Sequence, residues 1–482
     1  MKRFLMVFVI TICSVFFLGA APTVTAPPPV HTVQKGDTLG KIAAKYMPYT
    51  AAYTKKELIN SIKAINDITG PLSLGQNLNI PIAWQEPLKP KTVVKAKDYS
   101  AKGLYMNTSS SGTRFIFDSA QKLRKLNGNT IVFDAKDDMG AITYPSTIPD
   151  KYCPNENYTP NIEELPKLVD YLHRINVHVV ARVVVFRDPI MTRTRPEWCI
   201  NKEKNWLDPA NPEVQDYILT VVKELCESGV DEIQLDYVRY FADLKTDTGK
   251  EGISRTDVIA GFVKRVHDIT SPKGILLSLD MFGIVVWQRD VDVLTVGQDV
   301  MKLKNHVEII SPMLYPSHFS PGFSGFKNPA DEPYQFVFSG VKRMKDLVGD
   351  DVIIRPWLQS FPLRVTKGFD AKYIQDQIDA SRDAGGNGWL LWSPGNKYKD
   401  AYIAMQNVKD KPDKNPAPGV AAEMKPKGKN TMPQQQPDAK DALQPASSPL
   451  QNVSPKQTNG SDNTTGSLPI KNTSKSAVLP KG

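Results

Sequence analysis

A chain of 482 residues with 41% hydrophobic content is long enough for roughly two to four domains and can bury a large core. Its formal net charge of +9 favours anionic polymers through long-range attraction. Much of that charge lies toward the chain ends, so a nucleic-acid partner is not expected.

Met1-Lys2-Arg3 followed by the apolar run from Phe4 to Ala20 has the form of an export signal, expected over residues 1–26 with cleavage among the small residues Ala20 to Ala26. The mature protein is then secreted, periplasmic or associated with the cell wall. No later stretch is long and apolar enough to span a bilayer, so no transmembrane segment is expected after cleavage. With Cys13 removed, three of the four cysteines remain, an odd number that excludes a disulfide scaffold. Cys153 and Cys199 fall in expected loops, where a bridge and two free thiols are both open. Cys226 lies on an apolar helix face and reads as a buried thiol.

After a Pro/Thr/Ala stretch, residues 31–82 form a compact unit. It opens with Lys35-Gly36-Asp37-Thr38-Leu39, continues through the helical Ile42-Ala-Ala-Lys-Tyr46 and Asn66, and closes with the turn Leu74-Gly75-Gln76-Asn77-Leu78. These pieces together resemble a LysM domain, with extra residues around Met47 to Lys56. The resemblance implies a βααβ fold whose shallow groove binds peptidoglycan or a chitin-like N-acetylglucosamine chain. It places the contacts at Gly36, Asp37, Thr38, Leu74, Gly75 and Gln76. Such a module is expected to hold the protein on its glycan without contributing to the chemical step. Residues 83–100, rich in Pro and Lys, read as a linker.

From 101 to 409 short β-rich runs alternate with amphipathic helical patterns, the signature of parallel strands joined by crossover helices. The runs are 103–107, 130–134, 177–186, 232–240, 275–282, 308–315, 352–357 and 388–392. Helical patterns at 113–126, 162–175, 212–228, 256–269, 333–347 and 371–384 lie between and after them. Eight such repeats predict an α/β fold of the (β/α)8 TIM-barrel type. Residues 410–482 are expected to be a disordered tail, because positions 411–482 hold eleven prolines and no Phe, Trp or Tyr.

In a barrel of this kind the active site lies at the carboxyl ends of the strands. Those ends carry Asp134, Arg187, Asp188, Asp236, Tyr237, Arg239, Asp280, Tyr315, Trp357, Gln359 and Trp392, while the loop Asn205-Trp206-Leu-Asp208-Pro lies close by in the chain. Carboxylates and aromatics on one rim suit a sugar, which stacks on aromatic faces and is cleaved between a protonated acid and an ionised carboxylate. The segments from Val230 to Tyr240, Pro312 to Ser317 and Trp389 to Trp392 resemble the glycoside hydrolase barrel of many bacterial exported proteins, a distant relative of alpha-amylase-type barrels. That resemblance implies Asp236 as nucleophile and Asp280 as general acid; the rim and loop residues Asp134, Arg182, Trp206, Asp208, Tyr237, Arg239, Tyr315, Trp357, Gln359 and Trp392 are expected as substrate contacts. The chain departs from the amylase pattern at Gln234, where an Arg is usual, and at Gln359, near which a third Asp is usual. Arg182 and Arg239 are the candidates to replace the missing cation. The expected activity is hydrolysis of a cell-wall or extracellular polysaccharide, and the alternative is a non-catalytic glycan-binding or scaffold protein of the cell envelope.

No His-Glu-x-x-His zinc pattern, phosphate-binding Gly-x-x-x-x-Gly-Lys loop, dinucleotide fingerprint or Gly-x-Ser-x-Gly elbow occurs. Six scattered histidines do not form a metal cluster, so neither metal nor cofactor is expected.

Overall fold

The computed structural model describes residues 29–96, 98–200, 205–242, 252 and 254–408. The expected export signal at 1–26 and the tail at 410–482 lie outside the described residues. No helix among the described residues is long and apolar enough to cross a membrane.

The N-terminal unit is built from β1 (Val30–Thr32), α1 (Leu39–Tyr46), α2 (Lys55–Ile65) and β2 (Asn77–Asn79), with β1 and β2 antiparallel and His31 opposite Leu78. Each helix starts at a threonine, because an Oγ acceptor satisfies an amide with no partner inside the helix. Thr38 accepts from Lys41 N and Thr54 accepts from Glu57 N. Asn66 stitches α2 to β2 by donating to the Ile62 and Asn79 carbonyls and accepting from Asn79 N at 2.7 Å. A small core of Val33, Ile42, Leu58, Ile62, Leu78 and Ile80 closes the unit.

The barrel runs in chain order through β3 (Ala101–Met106), α3 (Thr108–Ser111), α4 (Phe115–Lys125), β4 (Thr130–Lys136), α5 (Ile148–Tyr152), α6 (Leu165–Arg174), β5 (His178–Val184), α7 (Pro189–Thr194), α8 (Pro212–Cys226) and β6 (Glu232–Asp236). It continues through α9 (Arg255–Thr270), β7 (Leu276–Met281), α10 (Asp290–Val296), α11 (Val300–Leu303), β8 (Ile309–Pro312), α12 (Pro333–Val348), β9 (Ile353–Ile354), β10 (Trp357–Gln359), α13 (Ala371–Asp383), β11 (Gly388–Trp392) and α14 (Lys399–Asn407). Neighbouring strands pair in parallel in the order β10-β11-β3-β4-β5-β6-β7-β8-β9. The expected seventh strand is two short pieces: β9 pairs with β8 and β10 with β11. Pro356 supplies no amide donor, which breaks the ladder between them. The chain nevertheless carries on, with Arg355 N donating to Ile310 O and Leu390 N donating to Pro356 O, so the ring closes. Helices cover one face of the strands and the barrel interior the other, which is why β3, β4, β5 and β6 are buried end to end.

Two polar clusters replace aliphatic packing. At the start of the strands Glu232 takes both Arg355 Nη atoms and His178 Nε2. Burial alone would push the Glu232 carboxyl up, but Arg355 and His178 outweigh it and hold the group below its usual range. Lys136 and Asp188 form a fully buried ion pair at 2.8 Å, with Lys136 Nζ also donating to Val184 O.

The expected linker is no free connector. Along residues 83–100, Ala83 N and Trp84 N donate to Tyr49 O, Thr92 Oγ1 to Val230 O at 2.8 Å and Val93 N to Asp231 Oδ1 at 2.7 Å. The segment therefore lies against the barrel at the starts of its strands. All three described cysteines are free thiols: Cys153 and Cys226 are buried and Cys199 is half-buried.

Candidate active site

Parallel strands bring their carboxyl ends to one rim, and alternation of side chains turns every second residue inward. Each position around the ring delivers one side chain to a cleft of about 1150 Å³: Tyr105, Asp134, Arg182, Asp236, Asp280, Tyr315, Trp357 and Trp392. Seven of these eight were expected from the sequence. Tyr105 was not, although its place at the end of the first β-rich run was the available signal.

Arg182 is the electrostatic centre. Its Nη1 lies 2.5 Å from Asp134 Oδ1, and its Nε and Nη2 lie 3.0 and 2.6 Å from Asp236 Oδ2. Arg182 thus places one cation on both carboxylates, while on the neighbouring strand the Gln234 amide donates to Ser311 Oγ at 3.4 Å. Asp134 also accepts from the Tyr105 hydroxyl at 2.6 Å. Burial pushes the Asp134 carboxyl up to about 6, against the opposing pull of Arg182 and Tyr105.

Asp236 ends β6, and its Oδ1 accepts from the Tyr237 amide at 2.6 Å. Tyr237 holds a φ of +50°, unusual for a bulky residue, at the point where the chain leaves the strand. Such strain persists only where surrounding structure enforces it and is common at functional sites. Here Trp206 and Arg239 pack against the Tyr237 ring.

Asp280 sits one strand along and is 1% exposed. Its Oδ1 accepts from the Trp357 indole Nε1 at 2.7 Å. Burial, and after it the charge of Asp236, holds the Asp280 carboxyl well above the usual range, although Arg182 and Trp357 pull it down. Two carboxyl groups on adjacent strands are therefore set in opposed environments, one held in an ion pair and one whose charged form burial disfavours.

Aromatic rings wall the cleft. Trp392 stacks on Tyr105 with centroids 3.9 Å apart and meets Trp357 edge-on at 5.5 Å. Tyr315 packs against His318, whose imidazole is pushed down to about 4 by burial and by Arg364. Phe282, Arg289, Asp292 and Phe323 also line the cleft: Phe282 closes the fifth β-rich run, Arg289 and Asp292 stand at the start of α10, and Phe323 lies in the connection between β8 and α12.

Arg239 and Tyr237 reach the cleft as expected, whereas three candidates do not line it. The Trp206 ring is buried beneath Arg239, 4.8 Å from its guanidinium carbon. Asp208 turns to the backbone, accepting from Ala210 N. The Gln359 amide is occupied by Ser317 N and Phe361 O.

In the small N-terminal unit the two loops expected to hold glycan meet beside one strand pair, since Gly75 N donates to Val33 O and Val33 N to Gln76 O. Gly36 and Gly75 adopt φ of +89° and +79°, and Leu74 is 76% exposed. Asp37 and Thr38 support the loop: Asp37 Oδ2 accepts from Gln34 N and contacts His31 Nε2, and Thr38 caps α1. The Gln76 side chain accepts from Ser73 N. No group of His, Cys, Asp and Glu able to hold a metal occurs among the described residues.

Fold and cleft together define a (β/α)8 barrel with a carboxylate pair and aromatic walls, preceded by a βααβ module. The chain belongs to the family described as "Putative glycosyl hydrolase domain", which matches residues 103–398, and residues 31–81 match the LysM domain. Among solved structures it is similar to the PgaB (BpsB) glycoside hydrolase domain from Bordetella bronchiseptica, at 13% identity and a TM-score of 0.51 over 65% of this chain and 100% of that one. The spore cortex-lytic enzyme SleL of Bacillus cereus matches at 13% identity and a TM-score of 0.41, over 78% of this chain and 85% of that one. A hypothetical protein from Ruminiclostridium thermocellum ATCC 27405 is 29% identical, with a TM-score of 0.32, over 37% of this chain and 96% of that one. No curated protein sequence matches.

Proposed function

We propose that this protein is an exported hydrolase of a cell-wall or extracellular polysaccharide, held on N-acetylglucosamine-containing glycan by its LysM module. The observation that carries this reading is the pair Asp236 and Asp280, on adjacent strands, in one aromatic cleft and in opposed electrostatic settings.

In the proposed reaction a pyranose ring lies against the Trp392 and Tyr315 side of the cleft. The Asp280 carboxyl, whose Oδ1 is engaged by Trp357, gives the proton on Oδ2 to the glycosidic oxygen as the bond to the anomeric carbon breaks. Asp236 attacks that carbon through Oδ1, the oxygen not held by Arg182, and Arg182 keeps the carboxylate oriented. Water then attacks the glycosyl ester, gives its proton to Asp280, and Asp236 leaves as carboxylate. The alpha-amylase-like assignment of nucleophile and acid supports the same roles.

Reducing-end release from peptidoglycan and a polysaccharide panel by purified protein tests the reading. Glycan binding without release by the wild-type protein would favour a binding or scaffold role instead.

A further inference from the structure

We propose that the LysM module is a fixed wall of the barrel, and that its Tyr53 is a positioning residue for the cleft rim at Thr108–Ser111. The extra residues between α1 and α2 are what make the contact. Tyr53 is 1% exposed, yet it is not part of the module's own core: it packs in the main barrel cluster. Its ring meets Phe117 of α4 edge-on at 4.7 Å, and its hydroxyl donates to Ser111 O at 2.5 Å.

The same face is secured by groups from two barrel helices. Lys167 of α6, itself buried, donates to Met47 O at 2.5 Å and Ala52 O at 2.7 Å. Tyr171 donates to Ala51 O at 2.8 Å. Arg114 grips Glu57 with two bonds of 2.8 and 2.9 Å, and Lys55 N donates to Glu163. A tethered module would leave its loop carbonyls to water, whereas here the buried Lys167 ammonium and the half-buried Tyr171 hydroxyl satisfy them.

The link to the cleft runs through α3. Thr108 and Ser109 line the cleft, and Ser111 ends the same turn, with its Oγ donating to Asn107 O. On the other side Thr108 Oγ1 bonds Asp137 Oδ2, and Asn107 N is held by Asn396. Tyr53 thus fixes the outer end of a turn whose inner end faces the substrate space. Removing the module would uncover Phe117 and leave Lys167 without its carbonyl partners.

The test is hydrogen exchange on the full chain with Tyr53→Phe, which keeps the ring and removes only the donor, and with Glu57→Gln, which loosens the exposed ion pair. Amides in 107–113 should exchange roughly tenfold faster in Tyr53→Phe, the scale of one lost buried hydrogen bond, while β6 and β7 stay as protected as in wild type. Glu57→Gln should give a smaller change in the same peptide. Wild-type protection of 107–113 in both variants, or equal acceleration throughout the barrel, would overturn the proposal. A second arm rests on the hydrolase reading: with a soluble oligosaccharide, Tyr53→Phe should raise KM several-fold and leave kcat within about twofold. An unchanged KM on a substrate that wild type cleaves would overturn the positioning role. If wild type cleaves nothing, the hydrolase reading fails and the exchange arm alone decides.

Discussion

Arg182 and Asp236 are joined across β5 and β6 by two bonds to a single carboxylate oxygen, at 2.6 and 3.0 Å, with the third guanidinium bond going to Asp134. One cation thus serves two buried carboxylates, and removing it leaves both without their charge partner.

Arg182→Met should accordingly cost about 3–5 kcal/mol of stability, the usual scale for stranding a buried charge. Urea unfolding of wild type and variant checks this. Arg182→Lys should recover only part of the loss, because an ammonium cannot reproduce the planar fork that meets both groups.

The Asp280 carboxyl binds its proton more tightly in the folded chain than in the unfolded one, since burial and then Asp236 raise its folded value. Its contribution to stability is therefore complete below the ordinary Asp range and is lost as pH rises through the folded value. Asp280→Asn should match wild type near pH 4 and be the more stable of the two at alkaline pH, measured as thermal midpoints across the range. If Asp280 is the general acid, activity needs the same proton and kcat/KM should fall on the alkaline side as Asp280 ionises. The Trp357 indole pulls that value down, so Trp357→Phe should move the alkaline limb to higher pH.

If Asp280 is the acid, Asp280→Asn should slow substrates with poor leaving groups far more than activated aryl glycosides. Equal losses on both would remove it from that role.

Lys136 and Asp188 are fully buried and paired at 2.8 Å, away from the proposed chemistry. Lys136→Met should destabilise by about 3–5 kcal/mol, and Lys136→Met with Asp188→Asn should recover part of it, since the amide removes the unpaired charge and keeps an acceptor for Met191 N. Urea midpoints of the two variants settle the coupling.

Strand and helix positions were legible because strands covered on both faces read as short β-rich runs, while helices with one buried face repeat every three to four residues. The split of β9 from β10 was also written in the chain, as Pro356 inside an apolar run. The site was legible as far as strand ends determine it. Asp134, Asp236 and Asp280 were expected from the carboxyl-end segments of their β-rich runs, and Arg182 as a cation to replace the one missing at position 234. Gln359, Trp206 and Asp208 have suitable chemistry but turn to backbone or core, since local hydrogen bonding decides a side chain's direction near a strand end. Tyr53 was out of reach for a different reason. Its partners Ser111 and Phe117 lie in another domain, and no local pattern encodes a contact between domains.

The most direct test of the central claim is reducing-end release from N-acetylglucosamine-containing polysaccharide by wild type and Asp236→Asn at matched concentration, with glycan pull-down as the control for folding. The account predicts release by wild type, a loss of several orders of magnitude in the variant and equal pull-down, because an amide can neither attack the anomeric carbon nor balance its charge. Equal release by the two proteins would contradict it.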